Sequence, residues 1–200
     1  LEHTDWLGSD LRAIARTKAG IVRPQTRVIT GWDVELQHYI PQHSNLSSGG
    51  SALEWATLAL EQLGVVASVC ETRPPGRRER AGNILLDCAH NPHALAWLLD
   101  CIPEPKVVLF GCLRDKALND MLALLPPNAE LLVCTPDSPR GREAAEVVAA
   151  AEGLGRSSHA CDSITVALEL AGKRPTLVTG STYLVAGARK CLRLPGSEEP

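Results

Sequence analysis

Hydrophobic and polar positions divide the 200-residue chain into two stretches of different texture. Residues 9–19 (SDLRAIARTKA) set Leu11, Ile14 and Ala15 at helical spacing behind a serine N-cap, and Gly20 and Pro24 close the segment. Residues 26–30 (TRVIT) predict a short strand. Residues 31–50 are polar and end in Ser47-Ser48-Gly49-Gly50, a loop signal. Residues 51–63 (SALEWATLALEQL) predict a second amphipathic helix that stops at Gly64. Residues 71–82 (ETRPPGRRERAG) break the pattern with charge, proline and glycine, and the domain boundary is expected there.

Beyond this break, apolar runs alternate with amphipathic stretches. The runs at 83–87, 106–110, 130–134 and 176–179 are candidate buried strands, and 92–101, 117–125, 141–152, 162–171 and 182–192 are candidate helices. Such alternation implies an α/β fold: a Rossmann-like, doubly wound, mostly parallel sheet with helices on both faces. Sheets of this kind hold ligands at the carboxyl ends of their strands.

Composition excludes several functions. A net charge of −3 supplies no basic field for nucleic acid or an anionic membrane surface, and no apolar run reaches the roughly 18 residues of a membrane-helix candidate. The seven cysteines are odd in number and form no CxxC pair. They read as reduced, buried residues of a cytoplasmic protein, not a disulfide frame or a zinc site. The chain begins Leu1-Glu2-His3-Thr4-Asp5, without an initiator Met or a signal-peptide pattern, which reads as the interior of a longer open reading frame.

Candidate chemistry sits at the strand ends. Strand 83–87 runs into Asp87-Cys88-Ala89-His90-Asn91-Pro92-His93, where Asn91 can cap a helix with Pro92 at its first position. Asp87 and His90 then lie beside a helix N-terminus suited to anions. Equally open is a purely local role, Asp87 capping the turn and His90 packing against it. A metal on His90 and His93 is disfavoured, because no acidic partner is nearby. Strand 106–110 runs into Gly111-Cys112-Leu113-Arg114-Asp115-Lys116, offering either cationic ligand contacts or a solvated loop. Strand 176–179 runs into Gly180-Ser181-Thr182, a small-residue turn opening a helix.

Together the segments LEHTDWLGSDLRAIARTKAGI, PGRRE, LLDCAHNPHA, LFGCLRDKAL and VTGSTYLV resemble the dihydrofolate synthase/folylpolyglutamate synthases, relatives of the peptidoglycan-building Mur ligases. The resemblance covers residues 1–30 and 74–190. It implies that residues 1–73 are the incomplete tail of a central ATP-binding domain and 74–200 a C-terminal glutamate-ligase domain. It further implies ATP and Mg²⁺ as cofactors, L-glutamate and dihydropteroate or folylpolyglutamate as partners, and a monomer. In that family ATP phosphorylates a carboxylate and the glutamate amine attacks the acyl phosphate, so catalysis is mostly positioning and cationic stabilisation. By resemblance, His3 is a magnesium ligand and Lys18 the catalytic lysine carried as a carbamate, whose oxygens suit Mg²⁺. Arg77 reaches ATP from the linker, Asp87 binds the nucleotide, His90 is a catalytic and substrate-binding residue on the glutamate side, Lys116 binds substrate, and Ser181 is structural. The sequence departs from the family at Glu2, Thr17 and Ala117, and Ser48-Gly49-Gly50-Ser51 stands where a Gln-x-x-Asn opens the helix before the linker. It contains no GxxxxGK[ST] phosphate loop. Three possibilities follow: part of a folate-directed glutamate ligase, inactive as this chain alone; part of a Mur-type ligase; or a non-catalytic Rossmann-like binding module.

Overall fold

Strands near the carboxyl end of the chain alternate their side chains between two apolar clusters, and that alternation organises the larger part of the molecule. The computed structural model describes residues 10–23, 25–41, 46–47, 52–66 and 73–197. The chain divides into two compact units, Leu1–Thr72 and Arg73–Pro200.

In the first unit, helix α1 (Leu11–Ala19) is capped by Asp10, whose carboxylate accepts a hydrogen bond from the Ala13 amide at 2.8 Å. The expected serine cap, Ser9, lies outside the described residues. Arg16 and Lys18 occupy the last turn of α1, where positive charge suits the helix dipole. Strand β1 (Val28–Ile29) pairs in parallel with β2 (Leu46–Ser47). The segment expected to be loop thus contains β2 and a single helical turn, α2 (Val34–Gln37). Helix α3 (Ala52–Leu63) follows. Among the described residues of this unit, the buried apolar ones are Ala15, Ala19 and Ile40.

The second unit contains β3 (Glu79–Ala81), β4 (Ile84–Leu86), α4 (Pro92–Asp100), β5 (Val107–Phe110), α5 (Leu118–Leu124), β6 (Glu130–Val133), α6 (Ala144–Gly153), β7 (Ser158–Ala160), α7 (Ile164–Ala171), β8 (Thr176–Thr179) and α8 (Thr182–Cys191). The strands form one six-stranded sheet in the order β3-β4-β8-β5-β6-β7. Only β3 is antiparallel to its neighbour; the other pairings are parallel. One face carries Leu85, Val108, Phe110, Leu131 and Leu177 against Leu95 and Leu98 of α4, Met121 of α5 and Val147 of α6. The opposite face carries Ile84, Leu86, Leu109, Leu132 and Val178 against Ala167 of α7 and Leu184, Val185 and Ala188 of α8. This is the doubly wound α/β fold that the alternation predicts. Burial on both faces explains why its central strands read as unbroken apolar runs.

Two strands escape the hydrophobic pattern, β3 and β7. Both lie at sheet edges, where one side of the ladder meets solvent and polar residues are favoured. Glu79, Arg80 and Ala81 therefore look like linker, and Ser158-His159-Ala160 like loop. Because β3 is paired to β4, the second unit should need it. A chain starting at Arg73 should unfold cooperatively. One starting at Asn83 should be weaker by roughly 3–5 kcal/mol, as it removes the carboxylate partner of the buried Arg189. Urea denaturation followed by circular dichroism measures the difference, and equal midpoints would show that β3 is dispensable.

Candidate functional site

The carboxyl ends of β4, β8 and β5 lie side by side and bring together the three segments singled out above. The chain leaves β4 and β5 for helices on one face of the sheet, α4 and α5, but leaves β8 for α8 on the other. Loops diverging in this way open a crevice at the strand ends. Backbone bonds weld the crevice floor: the Asp87 amide donates to Val178 O at 3.0 Å, and the Gly180 amide to Ala89 O at 2.9 Å. Gly180 has φ of 104°, and a Cβ there would stand 2.7 Å from both Gly111 O and the Phe110 ring. Only glycine permits this approach. Asn91 caps α4 through the Ala94 amide at 2.7 Å, and buried Ser181 caps α8 through the Tyr183 amide at 3.1 Å.

Asp87 is 6% exposed, and both carboxylate oxygens accept backbone hydrogen bonds. Oδ1 accepts from the Ala89 amide at 2.8 Å and Oδ2 from the Arg78 amide at 2.9 Å. The second bond ties the end of β4 to the turn preceding β3, which carries Arg77. In that turn Gly76 (φ 71°) and Arg78 (φ 47°) are both left-handed. The Gly76 amide donates to Glu79 Oε2 at 2.7 Å and the Arg77 amide to Pro74 O at 3.1 Å. The Arg78 guanidinium lies over the Trp97 ring, 5.2 Å from its centroid. Every amide from Gly76 to Arg78 is thus bonded within the protein. What the turn presents outward is the Arg77 side chain, which is exposed and has no carboxylate partner among the described residues.

His90 is half-buried, and its Nδ1 lies 2.8 Å from Cys88 O. A carbonyl only accepts, so Nδ1 carries the proton of this hydrogen bond. Lys116 Nζ lies 3.1 Å from Asp115 Oδ2, with its side chain 15% exposed. Its loop is braced by Arg142, which donates to Arg114 O at 2.6 Å and pairs with Glu146 at 3.3 Å. Cys88, Cys112, Cys134 and Cys161 are buried. Burial pushes their thiols up, Cys134 to about 12, so none is an activated nucleophile.

Of the residues predicted from sequence, the structure gathers Arg77, Asp87 and His90 on two joined segments. It sets Lys116 on the loop after β5, which is separated from β4 by β8 alone. Lys18 is exposed on α1 in the other unit, and His3 lies outside the described residues. Among the described residues no group of three or more His, Cys, Asp or Glu side chains could hold a metal ion. Sequence reasoning missed Glu79, Arg189, Trp97 and Arg142. The first two form a largely buried ion pair at 2.8 Å across 110 residues of chain, and no local signal distinguishes them from solvated charges.

A three-layer α/β/α domain with a charged crevice at its topological switch points belongs to the Rossmann-like class of ligand-binding domains. Within that class, this chain belongs to the Mur ligase, glutamate ligase domain family, whose model matches residues 76–189. It is 26% identical to the dihydrofolate synthase/folylpolyglutamate synthase of Escherichia coli, over 93% of this chain and 56% of that protein. Among solved structures it resembles E. coli FolC in complex with DHPP and ADP, at 25% identity and a TM-score of 0.76, over 96% of this chain and 59% of that one. It also shares the fold of the folylpolyglutamate synthase of Thermotoga maritima, at 21% identity and a TM-score of 0.77, over 94% and 59% of the two chains. The chain therefore spans a little over half the length of these proteins.

Two outcomes test the site's architecture. Asp87→Ala removes two charge-assisted bonds, one to the buried Ala89 amide and one to the partly buried Arg78 amide. It should destabilise the second unit by on the order of 3 kcal/mol, measured by urea denaturation; an unchanged midpoint would make the carboxylate structurally idle. The second concerns acid. The hydrogen bond from Arg189 holds the Glu79 carboxyl below its usual range, aided by the Gly76 amide and opposed by burial. A carboxyl depressed in the folded state stabilises the protein above its unfolded pKa, and that stabilisation is lost as pH falls through the folded value. The stability gap between the native protein and Glu79→Gln should therefore be full above ~pH 5 and close on further acidification. A gap independent of pH would exclude the charge as its source.

Proposed function

We propose that this chain forms the glutamate-handling part of an ATP-dependent ligase that adds L-glutamate to dihydropteroate or a folate. The observation that carries the proposal is the Arg77 turn: an exposed cation with no carboxylate partner among the described residues, on a backbone whose amides are all engaged, tied by Asp87 to the crevice at the switch points. Membership of the glutamate ligase family and likeness to an E. coli structure that holds DHPP and ADP support it.

In such a ligase ATP supplies the activation of the acceptor carboxylate as an acyl phosphate. Arg77 fits the nucleotide side, since its guanidinium is exposed and can form paired bonds to phosphate oxygens. Asp87 fits it less well. Its oxygens already accept two backbone bonds, so its main contribution is to hold the turn that carries Arg77. Lys116 offers a cation to a carboxylate of glutamate. His90, its ring oriented by Cys88 O, is assigned the proton of the incoming amine. Lys18 and His3 carry the magnesium-side roles that the family resemblance implies.

The decisive assay uses the protein produced from its gene, supplied with ATP, Mg²⁺ and labelled glutamate, and compares dihydropteroate, folate and UDP-muramyl acceptors. Incorporation into a pterin acceptor supports the proposal. Incorporation into a muramyl acceptor redirects it to peptidoglycan, and none with any acceptor leaves a binding module. In the active protein, Arg77→Ala should lower kcat/KM for ATP by about tenfold to a hundredfold, the loss of one oriented charged contact. Lys116→Ala should act mainly on the KM for glutamate. Unaltered kinetics in both would remove these cations from the site.

A further inference from the structure

We infer that Glu79, anchored by Arg189, is the positioning residue that fixes Arg77 in the crevice. The inference rests on the proposed role of Arg77 and deepens it. Arg77 lies between two amides held by carboxylates: Gly76 N by Glu79 Oε2 at 2.7 Å and Arg78 N by Asp87 Oδ2 at 2.9 Å. The turn between these pins is not self-supporting. Two of its three residues are left-handed, and one of them, Arg78, is not glycine, a conformation that persists only when its surroundings impose it.

Glu79 is itself fixed. Its Oε2 also accepts from Arg189 Nε at 2.8 Å, and its Oε1 from Arg189 Nη2 at 3.3 Å, the two-pronged geometry peculiar to arginine. Arg189 is 8% exposed on α8 and donates in addition to Pro195 O at 2.6 Å. A continuous chain of charge-assisted bonds therefore runs from the residues after α8, through Arg189 and Glu79, to the Gly76 amide. Gly76 has no slack with which to compensate: a Cβ there would meet Cys88 Sγ and a Val185 methyl, both at 2.9 Å. Its carbonyl is also taken, accepting from the Cys88 amide at 2.8 Å. Glu79 reaches Arg77 through the turn, by its bond to the Gly76 amide. On the other pin Asp87 belongs to β4, whereas Glu79 draws on α8. The orientation of Arg77 thus depends on helix packing on the opposite face of the sheet from α4.

Hydrogen exchange on the 200-residue chain tests the pin directly. Glu79→Gln should speed exchange of the Gly76 and Arg78 amides at least tenfold, while amides of β5, β6 and β8 exchange as before. Arg189→Leu, which keeps the carboxylate but frees it, should give a smaller acceleration at the same two amides. Should the variants fail to fold, the native protein suffices: the Gly76 amide and Arg189 Nε–H resonances should titrate together with the Glu79 carboxyl. Unaltered turn exchange in folded variants, or a Gly76 amide that ignores Glu79, would overturn the inference. In the ligase assay Glu79→Gln should raise the KM for ATP about tenfold and add nothing to Arg77→Ala. If Arg77→Ala leaves ATP use intact while the turn still loosens, the nucleotide role of Arg77 fails and the pin stands. Additive effects would show that Glu79 does not act through Arg77.

Discussion

Strand β8 is the last to be made and lies in the middle of the sheet. Its four residues, Thr176 to Thr179, are all buried and pair with β4 on one side and β5 on the other. Without it the β3–β4 hairpin has no connection to β5, β6 and β7, and the two apolar faces are each cut in half. The crevice depends on the same insertion. The loop after β4, carrying Asp87 and His90, and the loop after β5, carrying Lys116, become near neighbours only because β8 fills the space between them. Long-range parallel pairing of this kind is entropically expensive to close. Complete burial on both faces, with Leu177 toward one cluster and Val178 toward the other, supplies the compensating apolar contact.

A second constraint concerns carboxylates near the crevice. Asp87 and Glu79 spend their oxygens on backbone amides and on Arg189, not on the exposed Arg77. Had either paired with Arg77, that guanidinium would be neutralised before any ligand arrived. Buried acids instead build the turn, and the exposed cation is left for an anion. Preorganisation works in this way: groups that hold the backbone are satisfied internally, and the group that meets the ligand is held without being consumed. The buried cysteines belong to the same scaffold, since desolvation keeps their thiols protonated and chemically quiet.

Legibility in the sequence followed burial. The runs KVVLF, ELLVC and TLVT announced β5, β6 and β8, because strands covered on both faces must be apolar throughout. β3 and β7 were hidden by their polar residues, which solvent at a sheet edge permits. At the crevice, Asp87, Asn91, Gly180 and Ser181 could be picked out, since caps and close-approach glycines obey local rules of spacing. The alternatives for Asp87 were a capping role and a ligand role. Its two amide bonds give it a structural role that spans the strand end and the Arg77 turn, which is wider than a local cap.

The sequence by itself determined the fold class, most of the strands and helices, and the family likeness of the blocks around Arg77, Asp87, Lys116 and Ser181. Those depend on local periodicity and on short motifs, which are read within a few residues. Only the tertiary structure decided which charges are structural and which remain available. Glu79 and Arg189 lie 110 positions apart and meet because β3 joins the sheet edge while α8 packs across the same face. Arg78, whose amide Asp87 holds, meets the Trp97 ring of another element. A charged side chain looks the same in sequence whether it is solvated or locked. Its fate is set by the desolvation and the partners that packing brings to it, and neither is encoded in the residues beside it.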